Sequence, residues 1–243
     1  MTRLDGPRHA PARGRNPQQL VILVHGYGAD GEDLIGLAPY LAQALPDAAF
    51  VAPNGPEPCD MSPMGRQWFG IDFDDPSRMG NDPHAAMDRF TRMLPDAEGV
   101  APLLHEFIDG ERDRYGLTDR QVALVGFSQG TMMSLHVGLR RATPLAGIVG
   151  FSGALLGAER LTAEMTSPAP IQLIHGDADD LVPPMAMFAA AGALGRAGLP
   201  VGFHVSRGTG HSIAMDGIET AASFLQDVFS TRLTASGGIA SPL

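Results

Sequence analysis

Gln121-Val122-Ala123-Leu124-Val125-Gly126-Phe127-Ser128-Gln129-Gly130-Thr131-Met132-Met133 is the stretch that decides the fold. Residues 122–125 are a short apolar run with a charged turn before it and a glycine after it, the pattern of a buried strand. Residues 131–141 are compatible with a helix. Between them stands G-x-S-x-G, so strand, Gly126–Gly130 and helix follow in the order of a nucleophile elbow. In such a turn the serine sits strained at the tip, with its hydroxyl turned to solvent. The residues two before and two after it must be small, or they would strike the neighbouring strand and helix. Gly126 and Gly130 meet that demand. The helix beyond Ser128 directs its N-terminal amides, and the positive end of its dipole, at negative charge beside the serine. Three fixed residues in five arise readily by chance in a chain with 30 glycines, so the elbow needs support from elsewhere.

Upstream, residues 20–24 (L-V-I-L-V) are a continuous apolar strand buried on both faces, ending in His25-Gly26-Tyr27-Gly28-Ala29-Asp30. Residues 31–45 have helical spacing, with Leu34, Leu37, Ala38, Leu41 and Leu45 on one side. Residues 48–52 form the next strand. Residues 53–81 are a long connection rich in Pro, Gly, Asp and Met, of a length that points to function or disorder. Helix returns over residues 83–94, and Pro95 either breaks it or starts another. Val100, Leu103, Leu104, Phe107 and Ile108 make a core-facing stripe that runs to about Tyr115. Gly116 fits the left-handed position that closes helices. Downstream, strands at 145–151, 171–175 and 201–206 alternate with helices at 183–196 and 213–233. This alternation specifies an α/β fold, with a mostly parallel sheet covered on both faces.

One domain is expected over residues 18–233, with no second domain and no internal repeat. Residues 1–17 hold four arginines and three prolines and almost no large apolar residue, and are expected to be a disordered tail. Residues 234–243 are expected to be a flexible C-terminal tail. The 243 residues suffice for one sizeable core, and 44% hydrophobic with 18% charged content is ordinary for a globular protein. No run approaches the ~18 apolar residues of a membrane span, and the N-terminus lacks the apolar core of a signal peptide. A single cysteine, Cys59, cannot form an internal disulfide, which fits a reducing, cytoplasmic setting. A net charge of −10 argues against nucleic acid and anionic membrane surfaces as partners. A homodimer is admitted by the sequence but not specified by it.

A serine hydroxyl needs a base to take its proton, and the base needs a partner that fixes its tautomer. In elbow hydrolases the chain order is Ser, acid, His. Two loops at strand ends follow Ser128: Gly176-Asp177-Ala178-Asp179-Asp180-Leu181-Val182-Pro183, and Arg207-Gly208-Thr209-Gly210-His211-Ser212. His211, in a glycine-rich loop before the last helix, stands ahead of the other histidines. His204 lies within a strand and His136 lies on the elbow helix away from its tip. His25 and His175, at strand ends before glycine, are expected to tie loops together. His9, His84 and His105 have no supporting context. Spacing alone does not separate Asp177, Asp179 and Asp180. One oxyanion donor is the backbone N–H of Gln129, after the nucleophile, and the second belongs on the loop after the first strand.

The blocks from Leu23 to Asp30, Gly126 to Gly130, His175 to Pro183 and Gly210 to Ser212, all in order, together resemble the phospholipase/carboxylesterase family, over roughly residues 20–229. That family contains bacterial carboxylesterases and acyl-protein thioesterases with the α/β-hydrolase fold. The resemblance implies an α/β-hydrolase without a large cap domain, hydrolysing carboxylic esters or thioesters with no cofactor, and Asp177, Asp179, Asp180 and the histidines lack the ligand spacing of a zinc or calcium site. It places the triad on Ser128, Asp179 and His211, and the second oxyanion donor on the Tyr27 N–H. It also puts the tryptophan loop and the segment after the acid beside the active site, which makes Trp68 and Leu181 the pocket candidates, with docking of the loop onto the domain the alternative for its aromatics. Phe69, Met61, Met64 and Met79 on the long connection are further apolar candidates, and Asp72, Asp74 and Asp75 are expected to be a solvated face. Without a cap to bury a long chain, a small-molecule substrate is expected, a short- to medium-chain monoester. Acyl-protein thioester or lysophospholipid cleavage is the alternative, and a non-catalytic binding protein of this fold a lesser one. With an imidazole base of ordinary pKa ~6.5, activity should rise from acid toward mildly alkaline pH.

Overall fold

The computed structural model describes residues 3–71 and 90–235. Its strands are β1 (Arg8–His9), β2 (Gln19–Val24), β3 (Ala48–Val51), β4 (Glu57–Cys59), β5 (Ser62–Gln67), β6 (Val122–Phe127), β7 (Gly147–Phe151), β8 (Ile171–Gly176) and β9 (Val201–Ser206). Its helices are α1 (Gly31–Leu34), α2 (Ala38–Ala44), α3 (Leu94–Arg114), α4 (Gln129–Gly138), α5 (Leu161–Glu164), α6 (Met185–Arg196) and α7 (Met215–Ala235). The main sheet runs β1-β3-β2-β6-β7-β8-β9, and β4 pairs with β5 apart from it. Every pairing in the main sheet is parallel except β1 against β3.

Side chains of a strand alternate between faces, so a strand buried on both faces must be apolar throughout. Leu20, Ile22 and Val24 of β2 join one core with α3, α4 and α6. Val21 and Leu23 join the other with α2 and α7. β6 divides in the same way, Val122 and Leu124 to the first core and Ala123 and Val125 to the second. Each fully buried aliphatic side chain contributes about 1.5–3 kcal/mol, so the central strands anchor the fold.

The structure differs from expectation in four places. The single helix over residues 31–45 is broken into α1, a 3-10 turn at Ile35–Leu37, and α2. Pro39 has no N–H to bond the Ile35 carbonyl, so the ladder restarts there. The long connection is not structureless, because residues 57–67 form the β4–β5 hairpin. The expected helix start at Pro83, together with Asp72, Asp74, Asp75, Met79 and His84, lies outside the described residues. Pro95 does start a helix, standing in the first turn of α3, and Gly116 closes that helix at φ +65°. At the other end, α7 continues to Ala235, and residues 236–243 lie outside the description.

The fourth difference is the N-terminal arm. Its described part is not a disordered tail but an edge strand. Arg8 and His9 of β1 pair with Val51 and Phe50, and the Ala52 and Asn54 amides donate to the Pro7 and Asp5 carbonyls at 3.0 Å. Leu4 is buried in the core. Arg8 grips Glu111 of α3 through Nε at 3.0 Å and Nη2 at 2.7 Å. Backbone pairing satisfies the otherwise open edge of β3 and needs no apolar pattern, which is why composition did not reveal it. Deleting residues 1–10 would leave the buried Glu111 with Arg114 alone, 3.2 Å away. That deletion should lower unfolding stability by about 2–4 kcal/mol, measured by urea titration. An unchanged midpoint would mean the arm contributes nothing.

Candidate active site

β2 and β6 are neighbours, with Val24 opposite Gly126, and the chain leaves them in different directions. β3 lies on one side and β7 on the other. The crevice at such a switch point, beyond the carboxyl ends of the strands, is where open α/β sheets bind ligands.

Ser128 stands there at φ 53° and ψ −116°, between the end of β6 and the first residue of α4. The backbone leaves no room for larger flanks. A β-carbon at Gly126 would overlap the Gly130 carbonyl, and one at Gly130 would overlap the Val24 carbonyl oxygen. The Ser128 amide donates to the Phe151 carbonyl at 2.9 Å, tying the elbow to β7. Thr131 Oγ1 lies 2.8 Å from the Gly126 carbonyl and 2.7 Å from that of Phe151, with one proton for the two. Among the described residues Ser152, just past β7, is the second non-glycine residue with positive φ, at 45°. Strain of this kind concentrates at functional sites.

The structure brings three side chains into one file. The Ser128 hydroxyl lies 2.9 Å from His211 Nε2, and His211 Nδ1 lies 2.8 Å from Asp179 Oδ2. The imidazole ring packs 5.0 Å from that of Phe127. Asp179 is buried and its other oxygen accepts from the Leu181 and Val182 amides at 3.0 and 2.9 Å. Burial alone would raise its pKa. Hydrogen bonds from His175, His211 and the Val182 amide outweigh it, and hold the carboxyl well below the usual carboxylate range. Asp177 has another task, accepting the Gly208 amide at 2.6 Å, and Asp180 is exposed.

His175 is closer to this file than the sequence indicated. Its Nε2 lies 2.8 Å from the Val182 carbonyl and 3.2 Å from Asp179 Oδ2. Both are acceptors, so that nitrogen carries the proton. The i, i+4 spacing of His175 and Asp179 across a strand end is the only sequence signal for this contact. The acid and histidine loops are locked together by Asp177 N–H to Ser206 O at 3.2 Å and Ala178 N–H to Thr209 O at 3.0 Å. A β-carbon at Gly176 would overlap the Thr209 oxygen.

On the other side lies the loop after β2. His25 is fully buried. Its Nδ1 donates to the Gly26 carbonyl at 2.7 Å and its Nε2 accepts the Gly55 amide at 2.8 Å. Burial depresses its pKa, consistent with that neutral tautomer. Gly28 has φ +80°, which glycine adopts at little cost. Its amide donates to Arg66 O at 3.0 Å, and the Arg66 amide donates back to Ala29 O at 2.8 Å. The hairpin therefore clamps the loop that carries Tyr27. The Gln129 amide is the first of α4, a position that the helix's own ladder cannot use.

The two pocket candidates part company. Trp68 has no exposed surface. Its Nε1 donates to the His25 carbonyl at 3.0 Å, so it docks its loop and does not face substrate. Its indole needed a buried partner and found one in the backbone. Leu181 is 60% exposed, with its amide on the Asp179 carboxylate. Met61 and Met64 are exposed on the hairpin. His204 pairs with Asp216 at 2.8 Å, His9 packs against Phe50, and buried His136 is pushed down to about 4 by burial and by Arg140. None of these joins the file from Ser128 to Asp179. Among the described residues no group of three His, Cys, Asp or Glu side chains could hold a metal ion, and no helix is long and apolar enough to cross a membrane.

Known proteins resemble this chain over most of its length. The family model described as phospholipase/carboxylesterase matches residues 10–229. Acyl-protein thioesterase 1 of Gibberella zeae is 30% identical over 220 residues, covering 85% of this chain and 88% of its own. Esterase YpfH of Escherichia coli K12 is 28% identical over 210 residues, covering 86% and 82%. The crystal structure of esterase PE8 superposes with a TM-score of 0.85 at 40% identity, covering 93% of this chain and 99% of that one.

Proposed function

This chain belongs to the phospholipase/carboxylesterase family of α/β-hydrolases and is an esterase, and from that premise we propose that its acyl-enzyme forms on Ser128 with His211 as base and Asp179 behind it. The observation that carries this is the hydrogen-bonded file from Ser128 Oγ through His211 to Asp179. Asp179 holds the Nδ1–H tautomer, which leaves the Nε2 lone pair to accept the serine proton. As Oγ attacks the ester carbonyl, charge collects on the carbonyl oxygen. The amides of Gln129 and Tyr27 receive that charge, each such donor contributing about 3–4 kcal/mol. His211 then gives its proton to the departing alcohol, takes one from the water that attacks the acyl carbonyl, and returns it to Ser128 Oγ as the acid leaves.

The substrate is a short- to medium-chain carboxylic monoester, with Leu181 at the rim of the acyl or alcohol pocket. Cleavage of acyl thioesters is the second reading, supported by relatives named acyl-protein thioesterase 1. Buried, unpaired Cys59 fits a cytoplasmic enzyme. The test is a p-nitrophenyl ester chain-length series run beside an acyl thioester and a lysophospholipid, with fluorophosphonate labelling of the protein. Rates greatest for short and medium esters, with stoichiometric labelling, are expected. Higher kcat/KM on the thioester would transfer the assignment to that class, and no labelling at all would end the serine mechanism.

A further inference from the structure

An oxyanion hole works only if both donors lie about 2.7–3.1 Å from where the charged oxygen will be. Here the two amides proposed for it come from separate loops, Gln129 on the elbow and Tyr27 after β2. The sheet ladder ends at Val24 and Gly126, short of both, so something else must hold them in register.

We propose that the side chain of Gln129 is a positioning residue, latching the segment after β5 so that the Tyr27 loop is held at the right distance from the elbow. This rests on the hydrolase mechanism above. Gln129 is buried, and its amide group pairs with backbone as a neighbouring strand would. Oε1 accepts the Trp68 amide at 2.9 Å, and Nε2 donates to the Phe69 carbonyl at 2.8 Å. The same segment holds the Tyr27 loop on both sides. Before Tyr27, the Trp68 indole donates to His25 O at 3.0 Å. After it, Arg66 exchanges backbone bonds with Gly28 and Ala29 at 3.0 and 2.8 Å. Arg66 is itself anchored, with Nε on Gly55 O at 2.9 Å and Nη2 on Pro56 O at 2.8 Å. The path is a closed circuit: elbow, Gln129 side chain, residues 66–69, Tyr27 loop. One residue thus supplies one donor with its backbone and fixes the other with its side chain. Removing the amide group strands a buried N–H and a buried carbonyl in a dry place, and the segment must move to pair them.

Gln129→Met keeps the backbone donor, the length and the burial, and removes only the latch. Gln129→Asn keeps the amide chemistry but is one carbon too short, and serves if the first variant does not fold. Both are measured with the p-nitrophenyl ester that the wild type turns over best. A trifluoromethyl ketone, whose adduct with serine carries an oxyanion, is the transition-state probe. The expected result is a kcat lower by ~10- to 100-fold, as for an ångström of misplacement, with KM within about threefold. Affinity for the ketone should fall by the same factor as kcat/KM, and the emission of Trp68, the sole tryptophan, should shift. Ile108→Val, in the core of α3, is the control for lost stability alone. A kcat within about twofold of wild type, an unchanged ketone affinity, or an equal loss in the control would overturn the proposal. Absence of any turnover by the wild type would instead sink the mechanism on which it rests.

Discussion

Ser128→Ala is expected to lower kcat by about 10⁶-fold, with the protein folded and ester binding retained. Losses of that order follow removal of the nucleophile from serine hydrolases whose triad acts as a unit. Alanine has the same β-carbon, so the elbow geometry stays and the comparison isolates Oγ. A companion substitution separates chemistry from strain. At φ 53° and ψ −116° the serine pays a backbone cost of roughly 1–3 kcal/mol, which glycine largely escapes. Ser128→Gly should therefore be as inactive as the alanine variant, yet melt higher. Steady-state kinetics and thermal melts of both variants check this. Residual activity within about 100-fold of wild type in Ser128→Ala would mean that another group is the nucleophile.

The second large effect is expected at Asp179→Asn, a loss of about 10⁴-fold in kcat. Its cause is the ring of donors around the carboxylate. Leu181 N–H, Val182 N–H, His211 Nδ1 and His175 Nε2 all point at it. A carboxylate accepts from all four, whereas an asparagine must turn its NH₂ group toward two of them. The backbone amides cannot become acceptors. His175 cannot give up its Nε2 proton without abandoning the Val182 carbonyl, 2.8 Å away. His211 alone can yield, by moving its proton to Nε2, and it then has no lone pair left for the serine. Stability gives a second readout with a definite sign. The folded-state pKa of Asp179 lies below its ordinary value, so its contribution is present above about pH 4 and is lost as pH falls further. The stability gap between wild type and Asp179→Asn should be full at pH 7 and narrow toward pH 3. A constant gap would mean that the charge is not what stabilises this corner.

Motif and periodicity carried a good deal. The elbow was legible because two glycines must flank a serine in so tight a turn, and the overlaps that β-carbons would make at Gly126 and Gly130 bear that out. Strand β9 was read to the residue, and β2, β6 and β8 to within two. The misses share a cause. The N-terminal arm and the β4–β5 hairpin are built on backbone hydrogen bonds, which any residue but proline can supply. Such bonds leave little trace in hydropathy, and the arm was mistaken for a tail because it is polar.

What the amino-acid order determined alone was the α/β layering, the strained serine, and a serine, an acid and a histidine following one another at strand ends. Periodic burial and obligatory glycines are local demands, and a local demand is written where it acts. What only the tertiary structure decided was how Asp179 and the imidazole meet through space, that His175 shares that carboxylate, and that a hairpin braces the loop of Tyr27. These are contacts between segments as far apart as residues 25, 66, 129, 179 and 211. They depend on where loops land after the sheet has closed, and no spacing along the chain encodes that distance.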